Sequence, residues 1–294
     1  DLSEAGGNWT DVGGFLESVG KMRLGVNFGT FIGHDTLRRG VIGDESRSLN
    51  YEEIQKVKFL LTEGLKSGAF GLSLGLAYGH EKVVTTEEII EIARLVGEAG
   101  GIIKIHLRSE GREILAGVNE AIRIGRETNA SIQISHLKTI GRKAWEFMPE
   151  VLQLIDQARN SGVNINFDVS PYRATGSLLY LLIPSWARQG GFKDLFKRIN
   201  NPEEKKKIIE ALQNFTLHYD KIFIISAKNK NIVGKTIAEA AKSSGMPPEE
   251  FILENLKISE GRVTIAGKTI SAKNIKLEVA DENSFIASDG AGYD

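Results

Sequence analysis

Two histidines each end a segment that has the residue pattern of a β-strand. Residues 101–106 read GIIKIH and residues 131–136 read SIQISH, so His106 and His136 both follow alternating apolar residues. Neighbouring strands lie about 5 Å apart, and the carboxyl ends of parallel strands share one edge of a sheet. If the two segments are adjacent strands, both imidazoles can reach one metal ion. The spacing predicts part of a metal site; the alternative is that each histidine is an ordinary structural or surface residue.

Two aspartates occupy similar positions in later strand-like segments. Asp168 lies in VNINFDVSPY and Asp289 in SFIASDG. In a barrel of parallel strands, both would converge with the two histidines on one pocket. A carboxylate beside a metal ion can accept a proton from activated water or bind a second ion. These residue types together are the parts needed for metal-assisted hydrolysis.

Other polar residues near these strand ends could contact a substrate. Lys138 lies two residues after His136 and could hold a substrate carboxylate, or be a solvated lysine. Arg108 and Glu110 could pair with each other to fix the loop, or both could help to shape the pocket. Tyr172 follows a proline at a strand end, where its hydroxyl could meet a ligand or its ring could pack in the core.

The three other histidines lack a matched partner. His34 ends a strand candidate and could be structural, or could contact the residues that bind the metal ion. His80 lies in a loop and His218 lies beside charged sequence, so both are expected to lie outside the site.

The elements that must position these residues alternate between strands and amphipathic helices. Each repeat spans about 30 to 45 residues, the size of a βα unit, which predicts a parallel sheet. Six strand candidates in this order fit either a doubly wound sheet or a (β/α)8 barrel. Neither GxGxxG nor GxxxxGK[ST] occurs, and polar residues at several strand ends are typical of a barrel. The pattern favours an α/β barrel.

The pattern changes after the fifth strand candidate, which predicts three parts of the chain. Residues 1–172 hold barrel βα units. Residues 173–260 form a mostly helical, lysine-rich insertion, and residues 261–294 return to the barrel with a last strand that carries Asp289.

The composition excludes several classes of protein. The sequence is 41% hydrophobic and 26% charged, as in globular proteins, and its net charge of -1 gives no basic field for nucleic acid or anionic lipid. No apolar run approaches the ~20 residues that span a bilayer, and the absence of cysteine fits a cytoplasmic protein. A small-molecule substrate is expected rather than a nucleic acid or membrane partner; the oligomeric state is not indicated.

Seven segments of the sequence resemble, in the same order, the central part of N-acyl-D-amino-acid deacylases (D-aminoacylases) of the amidohydrolase superfamily. They are GHDTLRRGVIG, GAFGLSLGLAY, IHLRSEG, ISHLKTIGR, FDVSPYRATGSLL, IPSWARQGG and IASDG. The resemblance runs from about NWTDVGGFL to the last residue. It implies a metal-dependent (β/α)8 TIM barrel with a small β-sandwich, zinc as cofactor, and hydrolysis of N-acyl-D-amino acids to a carboxylate and a D-amino acid.

The resemblance also implies a role for each matching residue. His106 and His136 fall at the positions of zinc ligands, and Asp289 falls at that of the catalytic acid or base. Lys138 and Tyr172 match positions that bind the substrate carboxylate. Arg108, in the same HLRSE motif as His106, is expected to be a further substrate-binding residue.

Two features of the family are missing from the sequence. The first strand of the family carries an HxH pair and the next strand a metal-binding cysteine, and neither occurs here. We therefore expect an incomplete barrel that lacks its first two strands and the C-terminal part of the sandwich; the sequence does not indicate whether such a barrel is active by itself. The alternatives are another amidohydrolase, such as a dihydropyrimidinase-like cyclic amidase, or a non-catalytic barrel remnant that acts as a binding module.

Overall fold

The computed structural model describes residues 9–78, 81–188, 190–214 and 218–290 of the chain. The chain divides into two compact units. The first unit comprises residues 1–171 and 271–294, and the second unit comprises residues 172–270. The excursion from the first unit therefore begins at Tyr172 and ends at Ile270.

The described part of the chain contains nine strands and twelve α-helices. The strands are β1 (Ile32–Gly33), β2 (Gly71–Gly75), β3 (Ile102–His106), β4 (Ser131–Ile134), β5 (Ile165–Val169), β6 (Thr175–Leu178), β7 (Ile222–Ser226), β8 (Thr264–Gly267) and β9 (Ser284–Ile286). The helices are α1 (Val12–Gly20), α2 (His34–Ile42), α3 (Tyr51–Lys66), α4 (Thr86–Glu98), α5 (Ile114–Thr128), α6 (Met148–Asn160), α7 (Ser185–Arg188), α8 (Gly191–Asn200), α9 (Pro202–Asn214), α10 (Ile237–Ser243), α11 (Pro248–Ile258) and α12 (Ala272–Ala280).

The first unit is built on a six-stranded sheet in the order β1-β2-β3-β4-β5-β9. Every neighbouring pair is parallel. Gly75 of β2 pairs with His106 of β3, and Ile105 of β3 pairs with Ile134 of β4, so these three strands end at nearly the same level. The predicted α/β class with a parallel sheet is confirmed.

The two faces of the central strands differ in chemistry because side chains alternate along a strand. On β3, Ile103 and Ile105 are fully buried in the core of the first unit. The residues between and after them, Lys104 and His106, point to the opposite face. The same alternation on β4 and β5 places polar side chains together on that face, which is where the candidate site lies.

Helix α4 shows how the helices are fixed against the sheet. The Thr85 side chain accepts a hydrogen bond from the Glu88 backbone N–H and caps the first turn. The apolar stripe of the helix, which includes Ile89, Ile92 and Val96, is completely buried. Burial of such a stripe is the main source of stability for a helix packed on a sheet.

The second unit has its own sheet and its own core. Strand β8 lies between β6 and β7 and is antiparallel to both. Val263 and Ile265, beside and within β8, pack into a core separate from that of the first unit. Residues 261–270, which the sequence pattern assigned to the returning barrel, therefore lie in the second unit, and the unit is less purely helical than expected. The pairing partners of β8 lie about 40 and 90 residues away in sequence, beyond the reach of local patterns.

Within the described residues, no helix combines the length and the apolar character needed to cross a bilayer. The cytoplasmic location expected from the sequence stays a prediction.

Candidate metal centre

The two strand-end histidines lie side by side. His106 is the last residue of β3, and His136 follows the end of β4 by two residues. Nδ1 of His106 lies 2.9 Å from Nε2 of His136, and the ring centroids are 4.6 Å apart. Adjacent parallel strands and aligned ends thus bring together two imidazoles that are thirty residues apart in the sequence.

Glu110 completes a cluster of three groups that can bind a metal ion. Its Oε1 lies 3.1 Å from Nδ1 of His136, on the side of that ring away from His106. Ligand atoms of His106, Glu110 and His136 all lie within 4.8 Å of one another. Among the described residues, this is the one cluster of histidine and acidic side chains with such spacing.

The surroundings shift the pKa values of His106 and Glu110 in this cluster. Burial lowers the pKa of His106 to about 4, although the Glu110 carboxylate opposes the shift; His136 and Lys138 reinforce it. Burial alone would raise the pKa of Glu110, but the hydrogen bond with His136 and the charge of Lys138 lower it to about 2. At neutral pH the cluster therefore offers a neutral imidazole and an ionised carboxylate. Imidazole nitrogen and carboxylate oxygen are ligands for divalent transition metals, so the donor set fits such an ion.

Lys138 lies against this cluster. Its Nζ lies 2.6 Å from Oε1 of Glu110 and 2.7 Å from Nδ1 of His136, and the residue is buried. Buried ammonium groups in proteins are paired with anions or ligands. Strand β4 ends at Ile134, so the strand continuation on which the expected position of Lys138 depended is absent, but its Nζ still lies beside His136.

Asp289 lies after β9 in an exposed segment, with a positive φ of 51°. Its negative charge opposes the lowering of the His106 pKa by burial.

Asp168 has a different position from the one expected. Its carboxylate is buried and accepts a hydrogen bond from the backbone N–H of His136 at 2.7 Å, rather than facing the two imidazoles.

Arg108 has its own set of partners within the first unit. The guanidinium of Arg108 is bound to both carboxylate oxygens of Glu120, at 2.8 and 2.9 Å, and to the carbonyls of Lys82 and Val84. It pairs with Glu120 of α5, not with Glu110. Tyr172 is the first residue of the second unit, and 61% of its surface is exposed.

The other histidines have separate surroundings. His34 is fully buried, and its Nδ1 lies 2.5 Å from Oε1 of Glu81. His218 is exposed, and His80 lies outside the described residues.

Two residues near the histidine pair were not predicted to lie beside it. Glu110 was expected to pair with Arg108 to fix the loop, or to help shape the pocket. Tyr78, in the turn after β2, places its hydroxyl 3.4 Å from Nδ1 of His106, with the two ring centroids 4.7 Å apart. The sequence signal for Tyr78 was its position just after a strand. Because Gly75 of β2 pairs with His106, the residues that follow β2 lie at the same edge of the sheet as His106.

Comparisons with known proteins agree with the motifs. No protein-family model matches the chain. D-aminoacylase from Alcaligenes xylosoxydans xylosoxydans is 36% identical over 181 residues, which is 61% of this chain and 37% of that protein. N-acyl-D-aspartate deacylase from the same organism is 34% identical over 168 residues, 57% of this chain and 34% of that protein.

Solved structures share the fold. N-acyl-D-glutamate deacylase from Bordetella bronchiseptica, complexed with zinc and a phosphonate mimic of the tetrahedral intermediate, superposes with a TM-score of 0.77 at 22% identity, covering 97% of this chain and 53% of that chain. D-aminoacylase, described as defining a novel subset of amidohydrolases, gives a TM-score of 0.75 at 26% identity, covering 95% of this chain and 51% of that chain. The chain thus spans about half the length of these proteins. It has the fold of part of an amidohydrolase barrel, and the resemblance of its sequence to the N-acyl-D-amino-acid deacylases is confirmed.

Proposed function

We propose that this protein takes part in the zinc-dependent hydrolysis of N-acyl-D-amino acids, which yields a carboxylate and a D-amino acid. The observation that carries the proposal is the pair of imidazole nitrogens, 2.9 Å apart, at two adjacent strand ends of a deacylase-like sheet. Sequence similarity to three deacylases that act on N-acyl-D-amino acids supports the choice of substrate class.

His106 and His136 are the residues proposed to hold the zinc ion. A bound zinc ion would polarise the amide carbonyl and make water more acidic. Glu110 supports this assignment because its carboxylate can accept a proton carried on Nδ1 of His136. Nε2 of His136, the atom that faces His106, then keeps its lone pair for the metal.

Asp289 is proposed as the catalytic acid or base. A carboxylate at this strand end can take a proton from the attacking water and deliver it to the leaving amine nitrogen. Its electrostatic influence on His106 and its position after β9, at the same edge of the sheet, support the role.

Lys138 is proposed to bind the α-carboxylate of the substrate. Its ammonium group already lies 2.6 Å from a carboxylate, that of Glu110, and a substrate carboxylate offers the same type of charge-assisted hydrogen bond. Tyr172 is proposed as a second contact for that carboxylate, on the basis of its motif. The bonds of Arg108 to Glu120 and two carbonyls favour an indirect contribution, in which it fixes the loop that carries Glu110.

The test is hydrolysis of N-acetyl-D-amino acids and their L enantiomers by the zinc-loaded protein and by its Asp289→Asn variant. We expect turnover of the D substrates, a decrease of roughly 10² to 10⁴ in kcat for the variant, and unchanged zinc content. The exposed Asp220→Asn substitution serves as the matched control. No turnover of any D substrate would reject the proposed function, and near-normal turnover by the Asp289 variant would remove that residue from the mechanism.

A further inference from the structure

We propose that Asp168 is a positioning residue for His136, and that it acts through a polar bridge with Lys104 and Gln133. These three residues lie on the face of the sheet opposite the apolar core, directly beneath the histidine pair. The consequence for metal affinity rests on the proposed function. The hydrogen bonding that positions His136 does not depend on that function and can be tested without a metal ion.

His136 has a backbone conformation that a histidine adopts only when its neighbours hold it. Its φ is 39°, in the left-handed region that disfavours side chains with a Cβ atom. Its own N–H donates to Oδ1 of Asp168 at 2.7 Å, and the next N–H, of Leu137, donates to the backbone carbonyl of Asp168 at 2.7 Å. One residue of β5 therefore binds two successive backbone groups of the turn that carries the imidazole.

The Asp168 carboxylate is itself held from two other strands. Its Oδ2 lies 3.2 Å from Nζ of Lys104 on β3 and 3.1 Å from Nε2 of Gln133 on β4. Lys104 and Gln133 are cross-strand partners, and Lys104 lies two residues before His106 on the same face. The carboxylate, only 5% exposed, thus accepts hydrogen bonds from three donors. Three donors on its two oxygens fix the orientation of this carboxylate.

The bridge links the strands that end in the two histidines to a third strand, just below the site. Lys104 and Gln133 both donate to Oδ2 of Asp168, so the other oxygen, Oδ1, faces the N–H of His136. Loss of that acceptor would free His136 to return to an ordinary φ, and its Nε2 would move away from Nδ1 of His106. Asp168 therefore acts on the site through the backbone of His136 and does not itself contact a metal ion or substrate.

The experiment measures residue-specific amide hydrogen exchange by NMR in the metal-free 294-residue chain. In Asp168→Ala we expect exchange at the His136 amide to accelerate by about tenfold or more, since its charged acceptor is gone. The acceptor of the Leu137 amide is the backbone carbonyl of residue 168, which the substitution retains, so Leu137 should change much less. A role in general stability would accelerate both amides, together with the rest of the sheet. The matched control is Asp156→Ala, which removes an acceptor of Asn283 on the same unit and should leave His136 unchanged.

A double variant tests the bridge without leaving the cavity that Asp168→Ala creates. Asp168→Asn combined with Gln133→Glu swaps the carboxylate and the amide between β5 and β4. The carbonyl oxygen of the amide introduced on β5 can accept from the N–H of His136. Its NH₂ group can donate to the carboxylate introduced on β4, which also faces Lys104. We expect His136 exchange within about threefold of the wild-type rate.

The metal readout is zinc affinity, measured by competition with a chelator. We expect a loss of roughly 10- to 100-fold in Asp168→Ala and recovery in the double variant. Unchanged His136 exchange in a folded Asp168→Ala chain would overturn the proposal. If that variant does not fold, the double variant decides, because a folded double variant with an unprotected His136 amide contradicts the bridge. Failure of the wild-type chain to bind zinc would instead count against the proposed function, while the exchange data would still decide the role of Asp168.

Discussion

His136 can offer only one of its ring nitrogens to a metal ion, and its neighbours determine which one. Nε2 faces His106, whereas Nδ1 faces Glu110 and Lys138. The Lys138 ammonium can only donate to Nδ1, whereas the Glu110 carboxylate can only accept from it, so the two compete for this nitrogen. When Nδ1 carries the proton and donates it to Glu110, Nε2 is unprotonated and can bind a metal ion. The low pKa of Glu110, about 2, keeps this acceptor ionised throughout the neutral range. Glu110 is therefore the residue that prepares His136 as a ligand.

Replacement of Glu110 by Gln should weaken zinc binding by roughly 10- to 100-fold. The neutral amide no longer offers Nδ1 of His136 a negatively charged acceptor for its proton. The affinity is measured by chelator competition at pH 7. Glu113→Gln, three residues away and exposed, is the control and should bind zinc like the wild type. Equal affinities for all three proteins would show that Glu110 has no part in the metal centre.

Glu278 of α12 gives the chain a pH-dependent stability. Burial raises the pKa of this carboxyl to about 8, although the charge of Lys138 opposes the shift. Between the usual pKa of a glutamate and pH 8, the folded state keeps a proton that the unfolded state has released. The free energy of unfolding must therefore fall as the pH rises through this range.

The Glu278→Gln variant removes that titration. We expect it to be more stable than the wild type by on the order of 1 to 3 kcal/mol at pH 8, and to differ little at pH 4. Chemical denaturation at a series of pH values measures the difference. The exposed Glu282→Gln change is the control. A constant difference between Glu278→Gln and wild type at all pH values would contradict the assignment.

The residues of the site were only partly predictable from sequence. The positions of His106 and His136 followed from strand periodicity, since alternation and strand ends are local properties. The partners of Arg108 and Asp168 did not follow, because they depend on which elements become neighbours. Glu110 lies in a loop whose path decides whether its carboxylate meets Arg108 or His136, and periodicity carries no information on that path.

At the level of elements, one glycine controls how closely α4 approaches the end of α5. A Cβ atom added at Gly97 would overlap the backbone carbonyl oxygen of Thr128, which cannot move away as a flexible side chain could. We expect Gly97→Ala to lower the free energy of unfolding by ~1 to 3 kcal/mol, despite the higher helix propensity of alanine. Thermal or urea denaturation measures the change.

The control for this prediction is Gly40→Ala, also within a helix. A Cβ atom at Gly40 meets no other atom within 4 Å. Alanine there should be neutral or stabilise the fold by up to ~1 kcal/mol. Similar effects at the two positions would mean that the approach of α4 to α5 is not limited by Gly97.

The alternation of strands and helices, and the cap of α4 at Thr85, could be read from the sequence because each depends on residues close together in the chain. The place of β8 could not. The apolar residues Val263 and Ile265, beside and within β8, predict a strand but not its partners. Only the distant pairing with β6 and β7 assigns this strand to the second unit.

At the level of the whole molecule, the two units have separate hydrophobic cores. A domain with its own core and sheet is expected to fold alone. Residues 172–270, expressed separately, should therefore show a cooperative thermal transition by circular dichroism and dispersed NMR signals. A broad, non-cooperative transition would show that this unit depends on the rest of the chain.

Two neighbouring residues of β7 provide matched variants of this fragment. Ile224 is fully buried, whereas 52% of the surface of Ile225 is exposed. Ile224→Ala should lower the free energy of unfolding by about 2 to 5 kcal/mol, and Ile225→Ala by about 0.5 kcal/mol or less. Equal losses would contradict the core as described.

The position of β9 has a consequence for the order in which the chain folds. Phe167 of β5 pairs with Ser284 of β9, so this neighbouring pair of strands is separated in sequence by the whole second unit. Bringing together ends so far apart costs more chain entropy than joining any of the earlier strands, which follow one another at short intervals. During synthesis, β1 to β5 emerge and can associate before β9 exists. If the second unit folds first, it shortens the effective loop, and the segment that carries Asp289 is the last to join the sheet.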